Sequence, residues 1–134
     1  MGVDGSLVPL LYANHGSGMV MRGKEVFRRA VHATVESATA SMERAKVGID
    51  DIALFVPHQA NVRIMEAAAA RLGLPPDKIV SVIDRTGNTS SASIPLAVID
   101  AIERGRVHDG DLLLLSGFGA GMTWASAVWR WVSG

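Results

Sequence analysis

One stretch of the sequence is more specific than the rest, Leu54-Phe55-Val56-Pro57-His58-Gln59-Ala60-Asn61-Val62-Arg63-Ile64. It continues a short apolar run, Ile52 to Val56, which is typical of a strand covered on both faces of a sheet. The run stops at Pro57, and the polar His58 follows at once. In open α/β sheets, ligands bind at the edge formed by the carboxyl ends of the strands. The stretch therefore predicts a buried strand, a functional edge and then a helix from Asn61 to Leu72.

A second segment farther along the chain repeats this arrangement. Ile79 to Ile83 predicts another buried strand, a polar loop that contains Asn88 follows, and Ser93 to Arg104 predicts a helix that a serine caps. Because the carboxyl ends of parallel strands meet at one edge of a sheet, we expect His58 and Asn88 to leave neighbouring strand ends.

The remaining segments complete one predicted domain, residues 1–134. Met1 to Gly23 is an irregular lead-in in which only Leu7 to Tyr12 has a strand pattern. Apolar residues at helical spacing predict a helix from Lys24 to Lys46. A strand from Leu112 to Ser116 is followed by a β-branched and Trp-rich run that would pair with it antiparallel. The order predicts an α/β fold with a mixed, mostly parallel sheet, helices on its faces and an antiparallel terminal strand.

Composition narrows the possible functions. Of 134 residues, 49% are hydrophobic and 19% are charged, as in a globular protein with a buried core. Thirteen basic and thirteen acidic residues cancel, so overall charge gives no reason to expect nucleic acid or a membrane surface as a partner. No run approaches the roughly 18 to 20 apolar residues that span a bilayer, and we expect a cytoplasmic protein. The absence of cysteine excludes disulfides and a Cys nucleophile within these residues.

Three separated motifs together resemble the carboxyl-terminal half of β-ketoacyl-acyl-carrier-protein synthase III, a thiolase-fold condensing enzyme. They are Pro57-His58-Gln59-Ala60-Asn61, Gly87-Asn88-Thr89-Ser90-Ser91-Ala92-Ser93 and Gly117-Phe118-Gly119-Ala120-Gly121-Met122-Thr123-Trp124. The resemblance implies a Cys-His-Asn triad with His58 and Asn88, whose Cys lies in an amino-terminal half outside this chain. It also implies that the half-domain begins with a central strand upstream of Met1, so that this chain would lack its own middle strand.

The chemistry implied for the pair is stabilisation of negative charge. When a malonyl thioester loses carbon dioxide, charge develops on the thioester oxygen, and fixed neutral donors stabilise it as in an oxyanion hole. His58 would donate through a ring N–H and Asn88 through its amide. Taken alone, His58 could merely cap a strand end, and Asn88 could serve only as a turn residue. Coenzyme A and phosphopantetheine thioesters would be substrates, and no bound cofactor is expected.

The resemblance implies further roles and partners. Four residues would line the pantetheine or coenzyme A channel: Phe27, Ala60, Asn61 and Ile64. Arg28 and Arg63 would dock the acidic acyl carrier protein, although a solvated helix face also explains any single arginine. Phe118 and Gly119 would form an active-site loop. The expected partners are acyl carrier protein, the Cys-bearing amino-terminal half and, in the full enzyme, a second copy of the chain, without nucleic acid or membrane.

Two other chemistries are less well supported by the residues. A hydrolase triad of His58, Asp84 and a serine would need a Gly-x-Ser-x-Gly elbow, which is absent, and capping explains the serines from Ser90 to Ser93. The four histidines are isolated in sequence, so we predict no metal site.

The sequence therefore predicts an acyltransferase half-domain. It would supply His58 and Asn88 for decarboxylative condensation of an acyl-coenzyme A starter with malonyl-acyl carrier protein, in fatty-acid or polyketide synthesis. Two alternatives stay open: a non-condensing acyltransferase of the same fold, and a catalytically silent assembly module that lacks the Cys-bearing half.

Overall fold

The computed structural model of the chain describes residues 1–133. In chain order its strands and α-helices are β1 (Gly2–Val3), β2 (Leu11–Ala13), β3 (Met19–Met21), α1 (Gly23–Ala45), β4 (Ile52–Pro57), α2 (Val62–Leu72), α3 (Ile83–Thr86), α4 (Ser93–Glu103), β5 (Leu112–Gly119) and β6 (Thr123–Arg130). Short 3-10 turns lie at Gly5–Leu10, Pro76–Lys78 and Ser90–Ala92.

The main sheet has four strands in the order β1-β6-β5-β4. β4 and β5 are parallel, whereas β6 is antiparallel to both β5 and β1. The predicted mixed α/β sheet with an antiparallel terminal strand is therefore confirmed. The expectation that the chain would lack its middle strand is wrong. β4 and β5 pair directly, from Ile52 opposite Leu112 to Pro57 opposite Ser116. Within residues 1–133, no strand position between them is vacant.

Helices cover both faces of β4 and β5, as the continuous apolar run predicted. Successive strand residues point to opposite faces, so each strand contributes to two cores. One core joins the sheet to α1 and α2 through Ala38, Met42, Ile52, Phe55, Ala68, Ala69, Leu112 and Leu114. The other joins it to α4 through Leu54, Val56, Ala97, Val98, Ala101 and Leu113. This double cover fixes the carboxyl ends of β4 and β5 in place.

The helices begin and end where local backbone chemistry allows. α1 stops at Ala45 because Lys46 turns left-handed (φ 56°) and its N–H bonds to the carbonyl oxygens of Met42 and Glu43. α2 begins after Asn61 and stops at Gly73, whose φ is 80°. Among the helices of residues 1–133, none combines the length and the apolar character needed to cross a bilayer.

The predicted second parallel strand from Ile79 to Ile83 is mostly wrong. Only Ile79 bridges to Phe55, and α3 already begins at Ile83. Beyond the bridge, the side chain of Gln59 takes over the bonding: Nε2 donates to the Val80 carbonyl (3.1 Å) and Oε1 accepts from the Val82 N–H (2.9 Å). Gln59 is completely buried. A side-chain amide thus occupies the groups that a strand ladder would pair.

The lead-in contains more structure than its irregular pattern predicted. The strand expected from Leu7 to Tyr12 is wrong, because a 3-10 turn occupies Gly5–Leu10, and strand geometry begins only at Leu11. Asp4 starts that turn by accepting the N–H of Ser6 at 2.9 Å. β2 and β3 then form a separate antiparallel pair, which lies outside the main sheet.

Candidate active site

An open cavity of about 1570 Å³ lies at the carboxyl ends of β4 and β5. It is bordered by all ten residues that the sequence singled out, namely Phe27, Arg28, His58, Ala60, Asn61, Arg63, Ile64, Asn88, Phe118 and Gly119. Four segments that are separated in sequence meet here: α1, the turn from β4 into α2 with the start of that helix, the loop before α4, and the end of β5. The structure therefore brings the candidate residues together, and their individual roles remain predictions.

His58 is held at the end of β4 by three contacts. Its backbone N–H donates to the Ser116 carbonyl at 2.7 Å, which extends the parallel pairing by one residue. Its ring Nδ1 lies 2.6 Å from the Ser93 hydroxyl oxygen. The ring of Phe118 packs against it edge to face, with centroids 5.7 Å apart. With Nδ1 occupied, Nε2 is the ring nitrogen available to a ligand.

Burial sets the protonation state of His58. The ring is half-buried, and desolvation of the charged form lowers the pKa of His58 below its ordinary value of 6.5. The imidazole is therefore neutral at neutral pH, with a single N–H to donate.

Ser93 has a different role from the predicted helix cap. Its backbone is already helical (φ −64°, ψ −38°), and the capping position belongs to Ala92, which makes no side-chain capping bond. The Ser93 hydroxyl instead accepts the backbone N–H of Gln59 at 3.2 Å and contacts His58. Ser93 is completely buried. Its side chain thus ties α4 to the His58 turn.

Asn88 is held by its own local turn. Its Oδ1 accepts the backbone N–H of Ser90 at 2.9 Å, and Gly87 (φ 65°) and Ser90 (φ 55°) on either side of it both have positive φ. Asn88 is exposed to the cavity. The turn occupies the carbonyl oxygen and leaves the amide N–H groups to donate, so the turn role and the donor role are compatible.

The predicted channel residues differ in what they offer a ligand. Asn61 caps α2, with its Oδ1 accepting the Arg63 backbone N–H at 2.9 Å, which again leaves the amide nitrogen to donate. Ile64 is only 7% exposed and packs with Met122, while Phe27 lies against the same cluster. The channel wall is therefore built partly from core residues.

The charges around the cavity have one sign. Lys24, Arg28 and Arg63 border it, and no Asp or Glu of residues 1–133 does. Both arginines are exposed, and the Arg63 guanidinium carbon lies 5.9 Å from the centroid of the Phe27 ring, within range of a cation–π contact. A basic mouth over neutral donors favours an anionic ligand. In the part of the chain that the structure describes, no three His, Asp or Glu residues group as metal ligands would.

Sequence reasoning missed two residues of this site as separate contributors. Gln59 was part of a motif, yet nothing local predicted that its amide would replace a strand. Ser93 had a local explanation as a cap, and its partner His58 lies 35 residues away. A polar amide two residues after the end of a buried strand was the one available signal for Gln59.

Comparison with known proteins identifies the family. The family model described as 3-oxoacyl-[acyl-carrier-protein] synthase III C terminal matches residues 42–131. The chain belongs to this family. It is 47% identical over 132 residues to the β-ketoacyl-[acyl-carrier-protein] synthase III of Staphylococcus saprophyticus, a match that covers 98% of this chain and 42% of that protein.

Solved structures of the family agree with the fold. The 3-oxoacyl-[acyl-carrier-protein] synthase III from Aquifex aeolicus superimposes with a TM-score of 0.94 at 41% identity and covers 97% of this chain and 42% of its own. The Thermus thermophilus enzyme gives 0.91 at 44% identity, covering 99% and 45%. The predicted family and its thiolase-like fold are confirmed. The chain spans less than half the length of these synthase III proteins.

Proposed function

We propose that this synthase III C-terminal chain supplies His58 and Asn88 as paired donors for decarboxylation of a malonyl thioester. One observation carries the proposal: both side chains border a single cavity, and in each the other hydrogen-bonding atom is already engaged. Nδ1 of His58 contacts Ser93, and Oδ1 of Asn88 accepts from Ser90. What remains on each is a nitrogen, Nε2 of the neutral His58 ring and Nδ2 of Asn88, and we propose that both donate to one oxygen.

The proposed reaction breaks the bond between the malonyl α-carbon and its carboxylate. Carbon dioxide leaves, and the electron pair moves through the α-carbon to the thioester oxygen as an enolate. The N–H groups of His58 and Asn88 donate to that oxygen as its charge grows. The enolate carbon then attacks an acyl group held as a thioester on a Cys, forming the new carbon–carbon bond and expelling the thiolate. That Cys comes from an amino-terminal half, because this chain contains none.

The basic mouth suits the expected substrates and partner. Malonyl groups, coenzyme A and the phosphopantetheine of acyl carrier protein are all anionic, and acyl carrier protein is itself acidic. Arg28 and Arg63 would attract that partner, and Phe27, Ala60, Asn61 and Ile64 would line the path of its pantetheine arm. The S. saprophyticus relative bears the name of such an enzyme. A cytoplasmic, dimeric full enzyme without bound cofactor belongs to the same proposal.

A chimaera tests the proposal directly. In it, this chain replaces the matching carboxyl-terminal region of the S. saprophyticus synthase, which supplies a complete amino-terminal half. We expect the chimaera to decarboxylate malonyl-acyl carrier protein and to condense it with an acyl-coenzyme A, and we expect His58→Ala and Asn88→Ala to abolish most of both activities. His32→Ala, at an exposed histidine on α1, is the matched control.

The outcomes separate the alternatives. A folded chimaera that transfers acyl groups without decarboxylating malonyl thioesters would contradict condensation and support a non-condensing acyltransferase. A folded, inactive chimaera would contradict both enzymatic roles and leave the assembly module. Condensation by the 134-residue chain alone would contradict the need for a second half.

A further inference from the structure

The Ser93 hydroxyl has few possible partners, and they determine the direction of its hydrogen bond to His58. A serine oxygen carries one hydrogen and two lone pairs. One lone pair receives the Gln59 backbone N–H at 3.2 Å. Among residues 1–133, the only other hydrogen-bond partner of this oxygen is His58 Nδ1, at 2.6 Å. Ser93 is completely buried, so bulk water is not an alternative partner.

Only one direction satisfies every group. If Nδ1 carried the ring proton and donated it to Ser93, the serine hydrogen would be buried without an acceptor, which is unfavourable. If the hydroxyl donates to an unprotonated Nδ1, the N–H of Gln59, the hydroxyl and the ring nitrogen are all paired. The ring proton of neutral His58 then resides on Nε2.

We infer that Ser93 is a positioning residue that selects the Nε2–H tautomer of His58 and thereby supplies the N–H used in the proposed decarboxylation. The inference rests on the proposed function for its chemical purpose, and its structural part stands on the hydrogen bonds alone. Ser93 acts through its hydrogen bond to the His58 ring. The same hydroxyl links α4, which follows the Asn88 loop, to the turn that carries His58, so it also holds the two donors at one edge.

Nitrogen NMR of the 134-residue chain labelled with ¹⁵N-histidine tests the tautomer without any substrate. At about pH 8, well above the ordinary His pKa of about 6.5, the His58 ring is neutral, because burial lowers its pKa further. The His58 signals are those that disappear in the spectrum of His58→Gln. The other three histidines are exposed, so this substitution should leave their signals in place. We expect wild-type His58 to carry its proton on Nε2 alone, and Ser93→Ala to show a second population protonated on Nδ1. Thr39→Ala, which removes the hydroxyl of an exposed residue on α1, should leave the pattern unchanged.

Two further measurements separate positioning from folding and from the proposed function. Ser93→Cys keeps a side chain of similar shape but is a weak donor, so it should shift the tautomers in the same direction if Ser93→Ala does not fold. In the chimaera, Ser93→Ala should lower kcat for decarboxylation by roughly 10-fold or more with little change in KM.

A wild-type His58 protonated on Nδ1, or a ¹⁵N pattern that Ser93→Ala leaves unaltered, would overturn the inference. Either result is visible even when the chimaera is inactive, so failure of the inference and failure of the proposed function are distinguishable.

Discussion

His58 and Asn88 lie at the same edge of the sheet but are held by opposite means. His58 is half-buried, and its ring is oriented by Ser93 from a helix far along the chain. Asn88 is exposed, and its side chain is oriented by a turn with Ser90, two residues away. A site can therefore combine one donor fixed by tertiary packing with another fixed by local backbone conformation. Changes to the packing should affect the first, and changes to the backbone the second.

The largest expected effect comes from deleting the donors themselves. In the chimaera, His58→Ala and Asn88→Ala should each reduce decarboxylation by about 10²–10³-fold, the usual loss for one oxyanion donor. Because both would serve one oxygen, the double variant should lose much less than the product of the two single losses. Losses that multiply fully would mean that the two side chains act at different atoms.

Removing the Gln59 amide should destabilise the packed region next to His58. Gln59→Met leaves the Val80 carbonyl and the Val82 N–H without their side-chain partner, and each such buried group costs about 1–3 kcal/mol. We expect about 3 kcal/mol lower free energy of unfolding, measured with denaturant. Glu66→Met, on the exposed face of α2, should change it by less than about 0.5 kcal/mol. Equal losses in both variants would contradict the role assigned to the amide.

Gly87→Ala should affect the local turn. Gly87 has φ 65° and ψ −163°, a conformation that is essentially restricted to glycine, so alanine should cost about 1–3 kcal/mol of folding free energy. No atom would clash with the added Cβ, so the cost is backbone strain. Gly105→Ala, also at φ 65° and open space, is the matched control. Both should unfold more easily, but only Gly87→Ala should also slow decarboxylation by the chimaera. Equal activity of the two variants would show that the turn at Gly87 does not orient Asn88 for decarboxylation.

The burial of His58 predicts a pH dependence of stability. Because folding lowers its pKa, the unfolded chain binds a proton more readily below about pH 6.5. The contribution of the buried neutral His58 ring to folding stability is therefore complete above about pH 6.5, and it is lost as the pH falls below that value. Free energies of unfolding measured across this range should fall less steeply for His58→Gln than for wild type, while His32→Gln should follow wild type. Parallel curves for all three would show that the ring is not buried in solution.

The smallest effect is expected from the ion pair that joins α3 to α4, the helices before and after the Asn88 loop. Asp100 accepts from Arg85 at 2.8 Å and Arg104 at 3.0 Å, and the bond from Arg85 is the main reason that its pKa falls to about 2. The contribution of the Asp100 carboxylate to folding stability is present above about pH 3.8 and is lost as the pH falls through about 2.

Both arginines are largely exposed, so Asp100→Asn should cost only about 1 kcal/mol or less at neutral pH in a denaturant titration. Glu103→Gln, an exposed carboxylate on the same helix, should be neutral. A loss of several kcal/mol for Asp100→Asn would mean that this ion pair, and not the local turn, holds the Asn88 loop.

The sequence predicted much of the site because the relevant patterns are local. The apolar run before Pro57 placed a strand end at His58, and the Gly87-Asn88 pair marked a turn before the next helix, whereas the donor roles proposed for both residues came from the family resemblance. The helix before this unit and the antiparallel pair after it also followed from spacing and composition. These features depend on residues that are neighbours in the chain, where periodicity and turn chemistry act.

Only the tertiary structure decided which groups complete the site. Gln59 replaces a predicted strand because its amide reaches the backbone at Val80 and Val82, and Ser93 leaves its predicted cap because His58 and the Gln59 N–H lie within its reach. The direct pairing of β4 with β5 was likewise invisible in the pattern. A buried polar group bonds to whichever partner packing brings near it, and that partner is set by the fold rather than by sequence spacing.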